Sequence, residues 1–255
     1  MGSSGSAVGT RERPATLPGY ANLGEPVRVL YPARLEDRAQ EVQGYLGRGS
    51  GEMAALLGVE APSVCALLVG DEDWPAAPRE NEHPYPRGLP YFTRSVDPPA
   101  LVLPERLAPV FGPRTDALLP LTVWHELAHA FVLSEPLVRT PAWLQEFVPQ
   151  AASAAVARRA GLPLGEHLRR IDGDPGFTVR GFGGRAGAED QMRFQNLLLL
   201  LGAAALEEFG EDPLSRLLRA LREEDDVVGE SRAEELFADA LGPGGRGWLQ
   251  SRQEF

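Results

Sequence analysis

Residues 121–150, LTVWHELAHAFVLSEPLVRTPAWLQEFVPQ, contain two helical runs and a concentration of metal-competent side chains. In the first run Val123, Leu127, Ala130 and Phe131 supply an apolar face at helical spacing, and the small Ala128 lets another element approach. His125 and His129, four residues apart, project from one face about a turn apart, so both imidazoles can reach one ion. Glu126 lies beside them. This is the arrangement in which two His hold a zinc ion while the Glu takes a proton from an activated water. The competing reading is a pair of ordinary helices with a coincidental spacing. Against it, two His and a Glu at the wall of a core are costly unless something binds them.

A catalytic zinc takes three protein ligands and leaves one position open. The other two His, His83 and His167, stand in no helix-fixed relation to the pair. Glu146 is better placed. It lies in a helix predicted to open with Thr140 as N-cap and Pro141 at its first position and to close at Gly161, and an antiparallel return would bring its first turns beside His129. Gln150, one turn on, shares that face and is placed to hydrogen-bond a ligand. The bland alternative for Glu146 is a solvated surface carboxylate.

Outward from this stretch, the N-terminal half reads as short strands and one helix. PVRVLYP (26–32), SVCALLVG (63–70), the stretch near 91–93 and ALVLP (100–104) read as strands. Residues 33–57 read as a helix with a break at GRGSG (47–51). The later half is helical: 165–171, 189–210, 212–224 and 231–242 follow the two central helices. Strands first and helices afterwards predict an α+β domain with two lobes, and a cleft is expected between them. The expected organisation is a disordered or loosely draped segment over 1–24, one domain over 25–242 and a tail over 243–255. The proline-dense stretch 71–90 and the Gly-rich stretch 172–188 are expected to be loops that gate the cleft.

Composition bounds the function. Of 255 residues, 25 are Lys or Arg and 36 Asp or Glu, a net charge of −11 with no basic run, which argues against a nucleic-acid or anionic-membrane surface. The same balance favours cationic peptides as partners; it leaves the oligomeric state undetermined. The apolar run 196–206 is too short to span a membrane and reads as a buried helix. The single cysteine, Cys65, sits in an apolar run and is expected to be a buried thiol. The Gly/Ser character of residues 1–10 is that of an expression tag, so the expected location is cytoplasmic, or secreted if a signal peptide was removed.

WHELAHAF followed by PAWLQEF resembles the gluzincin, or thermolysin-like, zinc metallopeptidases, and in particular their small stand-alone bacterial members. In that family HExxH is followed by a second helix whose Pro-x-Trp-Leu-x-Glu run donates a third ligand. The likeness extends over roughly residues 26–242, though only these two motifs are specific. The resemblance implies a zincin-like fold, with a small N-terminal lobe of mixed sheet and a helix, a helical C-terminal lobe and the active-site cleft between them, one zinc ion held by His125, His129 and Glu146, and Glu126 as general base in peptide-bond hydrolysis. It also implies that ALVLP or the strand near Tyr91 forms a sheet edge along which a peptide lies.

The chain departs from the pattern in two places. FVPQA follows Glu146, putting bulky Phe147 where the family has a small residue and Pro149 inside a helix, where it deletes one hydrogen bond. The usual acidic partner is Gln150. All five Tyr precede HExxH, so the downstream candidates for stabilising an oxyanion are His167, Arg193 and Arg180. These departures keep open a second reading, a zinc-binding scaffold on the same fold with weak turnover or none.

Overall fold

The computed structural model describes residues 16–80, 88–107, 115–133, 139–168, 176–182 and 188–255, with the backbone alone at 115–117, 166, 167 and 188. The chain is α+β, as expected. Its strands are β1 (Tyr20–Leu23), β2 (Arg28–Pro32), β3 (Cys65–Val69), β4 (Tyr91–Thr93) and β5 (Ala100–Pro104). They form one sheet in the order β1-β2-β3-β5-β4. The three central strands run parallel and both outer strands run antiparallel to their neighbours. β4 is therefore an edge strand and ALVLP, as β5, is internal, so of the two candidates for a substrate-facing edge only β4 qualifies.

Alternation along the strands divides the core. Val29, Tyr31, Ala66, Leu68, Leu101 and Leu103 face the helices. Leu30, Leu67, Val69 and Val102 face a smaller cluster closed by Leu17, Trp74 and Tyr91. Cys65 is fully buried on that second face, and burial pushes its thiol up to about 11. The expectation of a draped segment fails for Tyr20–Leu23. There Tyr20 anchors a strand by donating to Asp73 at 2.9 Å and accepting from the Gly70 N–H at 3.2 Å.

Helix α1 (Glu36–Leu57) runs unbroken through the Gly-rich stretch where a break was expected. Packing explains this: a Cβ on Gly49 would sit 2.4 Å from Trp124 Cδ1, so the glycine marks close helix contact and not a turn. Trp124 Nε1 donates to the Tyr45 carbonyl at 2.9 Å across the same contact. Helix α2 (Thr115–Leu133) carries HELAH. Helix α3 (Ala142–Arg159) returns beside it, begins after Pro141 with no side-chain cap, and continues through Pro149. Thr140 is therefore not its N-cap; the Thr140 carbonyl instead accepts from Gln145 Nε2 at 2.7 Å. Helix α4 (Leu164–Leu168) is short; α5 (Ala188–Phe209), α6 (Asp212–Arg222), α7 (Glu230–Leu241) and α8 (Gly245–Ser251) complete the helical part.

α3 is buried on nearly all sides, packed chiefly between α2 and α5, with Phe237 of α7 against Trp143 and Phe147. Its small-residue run AASAAVA allows this, and Gly202 of α5 is pressed so closely on Ala151 that a Cβ there would stand 3.0 Å from the Ala151 Cβ. The stretch 243–255, expected as a tail, contains α8 and ends with Phe255 packed on Trp143, ring centroids 5.2 Å apart. Among the described residues, no helix is long and apolar enough to cross a membrane; the apolar run 196–206 lies inside α5.

Candidate metal centre

The three side chains singled out as ligands meet. His125 and His129 occupy successive turns of α2 with their Nε2 atoms 3.2 Å apart. Glu146, in the second turn of α3, places Oε2 3.4 Å from each Nε2. The side chains keep 13%, 16% and 26% of their surface, so the group is walled by core yet open on one side. Among the described residues this is the group able to hold a metal ion. A tetrahedral ion with bonds of about 2.0–2.1 Å separates its ligand atoms by about 3.3–3.4 Å, so the triangle already has the dimensions such an ion needs. Two imidazoles and one carboxylate form a donor set common at catalytic zinc, with a fourth position left for water or substrate.

The electrostatics of the site follow from burial and charge. Burial alone would depress His129, but the charge and hydrogen bond of Glu146, helped by Glu126, outweigh it and raise its pKa to about 9. Burial would lift Glu146, yet the two imidazoles hold it well below the usual carboxylate range. Glu126 is only 5% exposed. Burial raises its pKa, the nearby imidazoles oppose the rise and Glu146 adds to it. The Phe92 N–H on edge strand β4 also opposes the rise, so the acid lies near the sheet edge as well as near the imidazoles.

Glu146 is held from behind by a residue that sequence reasoning missed. Gln195, on α5, donates from Nε2 to Glu146 Oε2 at 2.9 Å and accepts from Gln150 Nε2 at 2.5 Å. Gln150 thus backs Glu146, but through Gln195. His125 Nδ1 is buried without a hydrogen-bond partner among the described residues. No local spacing relates residue 195 to 146; a polar residue opening an otherwise apolar helical run (QNLLLLL) was the only available signal.

Phe147 and Pro149 do not intrude on the cluster. Phe147 is 1% exposed and packs on Phe237 of α7, ring centroids 4.3 Å apart, so its bulk fills the core behind α3. The oxyanion candidates fare differently. Arg193 ion-pairs with Glu189 on its own helix at 2.6 Å, and Arg180 with Glu234 at 2.8 Å while lying over the Phe255 ring. Neither is brought to the cluster. His83 and the His167 side chain lie outside the described residues, as do parts of both stretches expected to gate the cleft.

No protein-family model matches the chain, and no curated protein matches it in sequence. The class that fold and site define is therefore coarse: an α+β protein with a His-His-Glu group able to hold a metal ion.

Proposed function

We propose that this protein is a zinc-dependent peptidase of gluzincin type, with His125, His129 and Glu146 as ligands and Glu126 as general base. The observation that carries the reading is the ligand triangle, sides 3.2, 3.4 and 3.4 Å, with a buried acid next to its first member on the same helix. When bound, zinc would polarise a scissile carbonyl and bring the pKa of its water toward 7. Glu126, its carboxyl lifted by burial, is suited to accept a proton from water and return it to a leaving amine. Among the described residues β4 pairs with the sheet on one side only, and its outer edge at Phe92, beside Glu126, suits an extended peptide chain.

A zinc-binding protein without turnover is the second reading, favoured by the engagement of Arg193 and Arg180 away from the site. Elemental analysis and a diverse peptide library separate the two. The peptidase reading expects about one zinc per chain, retained in Glu126→Gln, with hydrolysis falling about a hundredfold to ten-thousandfold in that variant. Zinc-loaded wild-type protein that cleaves no member of the library overturns the peptidase reading. Protein that takes up no zinc overturns both.

A further inference from the structure

A carboxamide carries a donor and an acceptor at opposite corners, so a line of two amides has a direction. Gln150, 8% exposed, spends its N–H on the oxygen of Gln195, and this leaves the Gln195 N–H facing Glu146 Oε2. Reversed, the Gln195 oxygen would stand against a carboxylate and repel it. Oε2 is also the atom 3.4 Å from both imidazole nitrogens, so the oxygen that receives the amide is the one in the ligand triangle.

We propose that Gln195 is a positioning residue that aims Glu146 Oε2 into the ligand triangle, and that Gln150 sets which end of the Gln195 amide faces it. The proposal rests on the metal reading above and goes beyond it by assigning α5 a part in the centre. The backing is neutral: a third carboxyl at this place would add negative charge to a site that already holds Glu146 and Glu126, whereas an amide orients the ligand and leaves the charge count unaltered. It also ties the third ligand to the packing of α5 on α3, since Gln195 lies two turns before Gly202, which touches Ala151.

The test is zinc affinity by competition with a chromophoric chelator, measured at several pH values from about 7 to 9 because burial and Glu146 lift an introduced carboxyl, together with the visible spectrum of the cobalt-substituted protein and the melting point of the metal-free form. Gln195→Leu removes the donor, and the expected loss is roughly 10–100-fold in zinc affinity, the usual effect of removing a ligand's hydrogen-bond partner. Gln195→Glu keeps the shape but sets carboxylate against carboxylate, and should lose at least as much. Gln150→Glu, which touches no ligand, offers Gln195 an acceptor and turns its amide around. It should weaken zinc more than Gln150→Leu and alter the cobalt spectrum. Should the Leu variants fail to fold, the two near-isosteric Glu variants decide. Wild-type affinity in Gln195→Glu and Gln150→Glu overturns the positioning proposal and leaves the metal reading intact. A wild-type protein that binds no zinc overturns the metal reading itself, and the proposal with it.

Discussion

The two helices that carry the candidate ligands are held in different ways. On α2, His125, Glu126 and His129 are spaced by the helix itself, and the helix is backed by α1, where Gly49 lets Trp124 lie flush and donate to Tyr45. On α3, Glu146 stands alone. It reaches the imidazoles only because α3 returns beside α2, and its oxygen is held by Gln195 on a third helix that packs through Gly202 on Ala151. One half of the centre is local geometry; the other is tertiary packing. Disturbing what lies behind each should have unlike consequences, stability on the α2 side and metal affinity on the α3 side.

The largest expected effect on metal affinity concerns the proton that a metal must displace. Without metal, His129 holds its proton up to about pH 9, because the influence of Glu146 outweighs the effect of burial, and Glu146 is already a bare carboxylate. Zinc needs the neutral imidazole. Affinity should therefore rise as pH rises, about tenfold per pH unit between pH 7 and 9, roughly a hundredfold in all. Calorimetry in buffers of different ionisation heat should find a proton released with each zinc bound at pH 7.5. The same raised pKa contributes stability that is full below the ordinary value of 6.5 and lost as pH passes about 9, so the metal-free protein should melt lower at alkaline pH. Affinity that is flat from pH 7 to 9 would show that the proton does not sit on the α2 side.

Next in size is Gly49→Ala. Its new Cβ would stand 2.4 Å from Trp124 Cδ1 and 2.8 Å from Nε1, and the ring is 2% exposed with nowhere to go. Overpacking of this kind costs about 1–3 kcal/mol, and Ala's advantage over Gly in a helix offsets about 0.5–1 kcal/mol of it. The expected net loss is about 1–2 kcal/mol in chemical denaturation, with zinc affinity little altered because the His pair travels with α2. Affinity lost in step with stability would erase the distinction between the two sides.

How much was legible in the sequence follows the same division. The strands beginning at Arg28, Cys65, Tyr91 and Ala100 carry their own apolar runs, and HELAH fixes its geometry by helical spacing, so both could be read without a fold. Glu146 was legible because its helix follows at once and returns. Gln195 was not, since nothing local relates it to a residue 49 positions away. Composition misled at three places for one physical reason, that packing overrides local propensity. Gly47, Gly49 and Gly51 looked like a break and lie in an unbroken helix that is pressed on Trp124 at Gly49. Residues before 24 looked draped, yet Tyr20 pins a strand. Residues after 243 looked like a tail, yet Phe255 is packed on Trp143. Phe147 departs from the family pattern without touching the site, because one residue past Glu146 on the helix its side chain points elsewhere, into Phe237.

The smallest effect on stability is also the sharpest test of the comparison. At Gly202 an added Cβ would meet the Ala151 Cβ at 3.0 Å and its Cα at 3.1 Å, a milder approach than at Gly49, with a methyl and a backbone atom in place of a ring. Gly202→Ala gains about 0.5–1 kcal/mol of helix propensity, which offsets most of the strain, so the net change in stability should stay under about 1 kcal/mol. The strain relaxes by moving α5 a few tenths of an ångström from α3, along the contact that sets the 2.9 Å bond from Gln195 to Glu146. Zinc affinity should then fall by more than the stability change alone would suggest, up to about tenfold, at the low end of what loss of a ligand's hydrogen-bond partner costs. Gly49→Ala and Gly202→Ala thus form a crossed pair, measured by denaturation and by chelator competition on the same proteins. If both variants lose stability and affinity in the same proportion, the centre is a single packed unit; if they cross, the His pair belongs to its helix and the third ligand to the contact between α3 and α5.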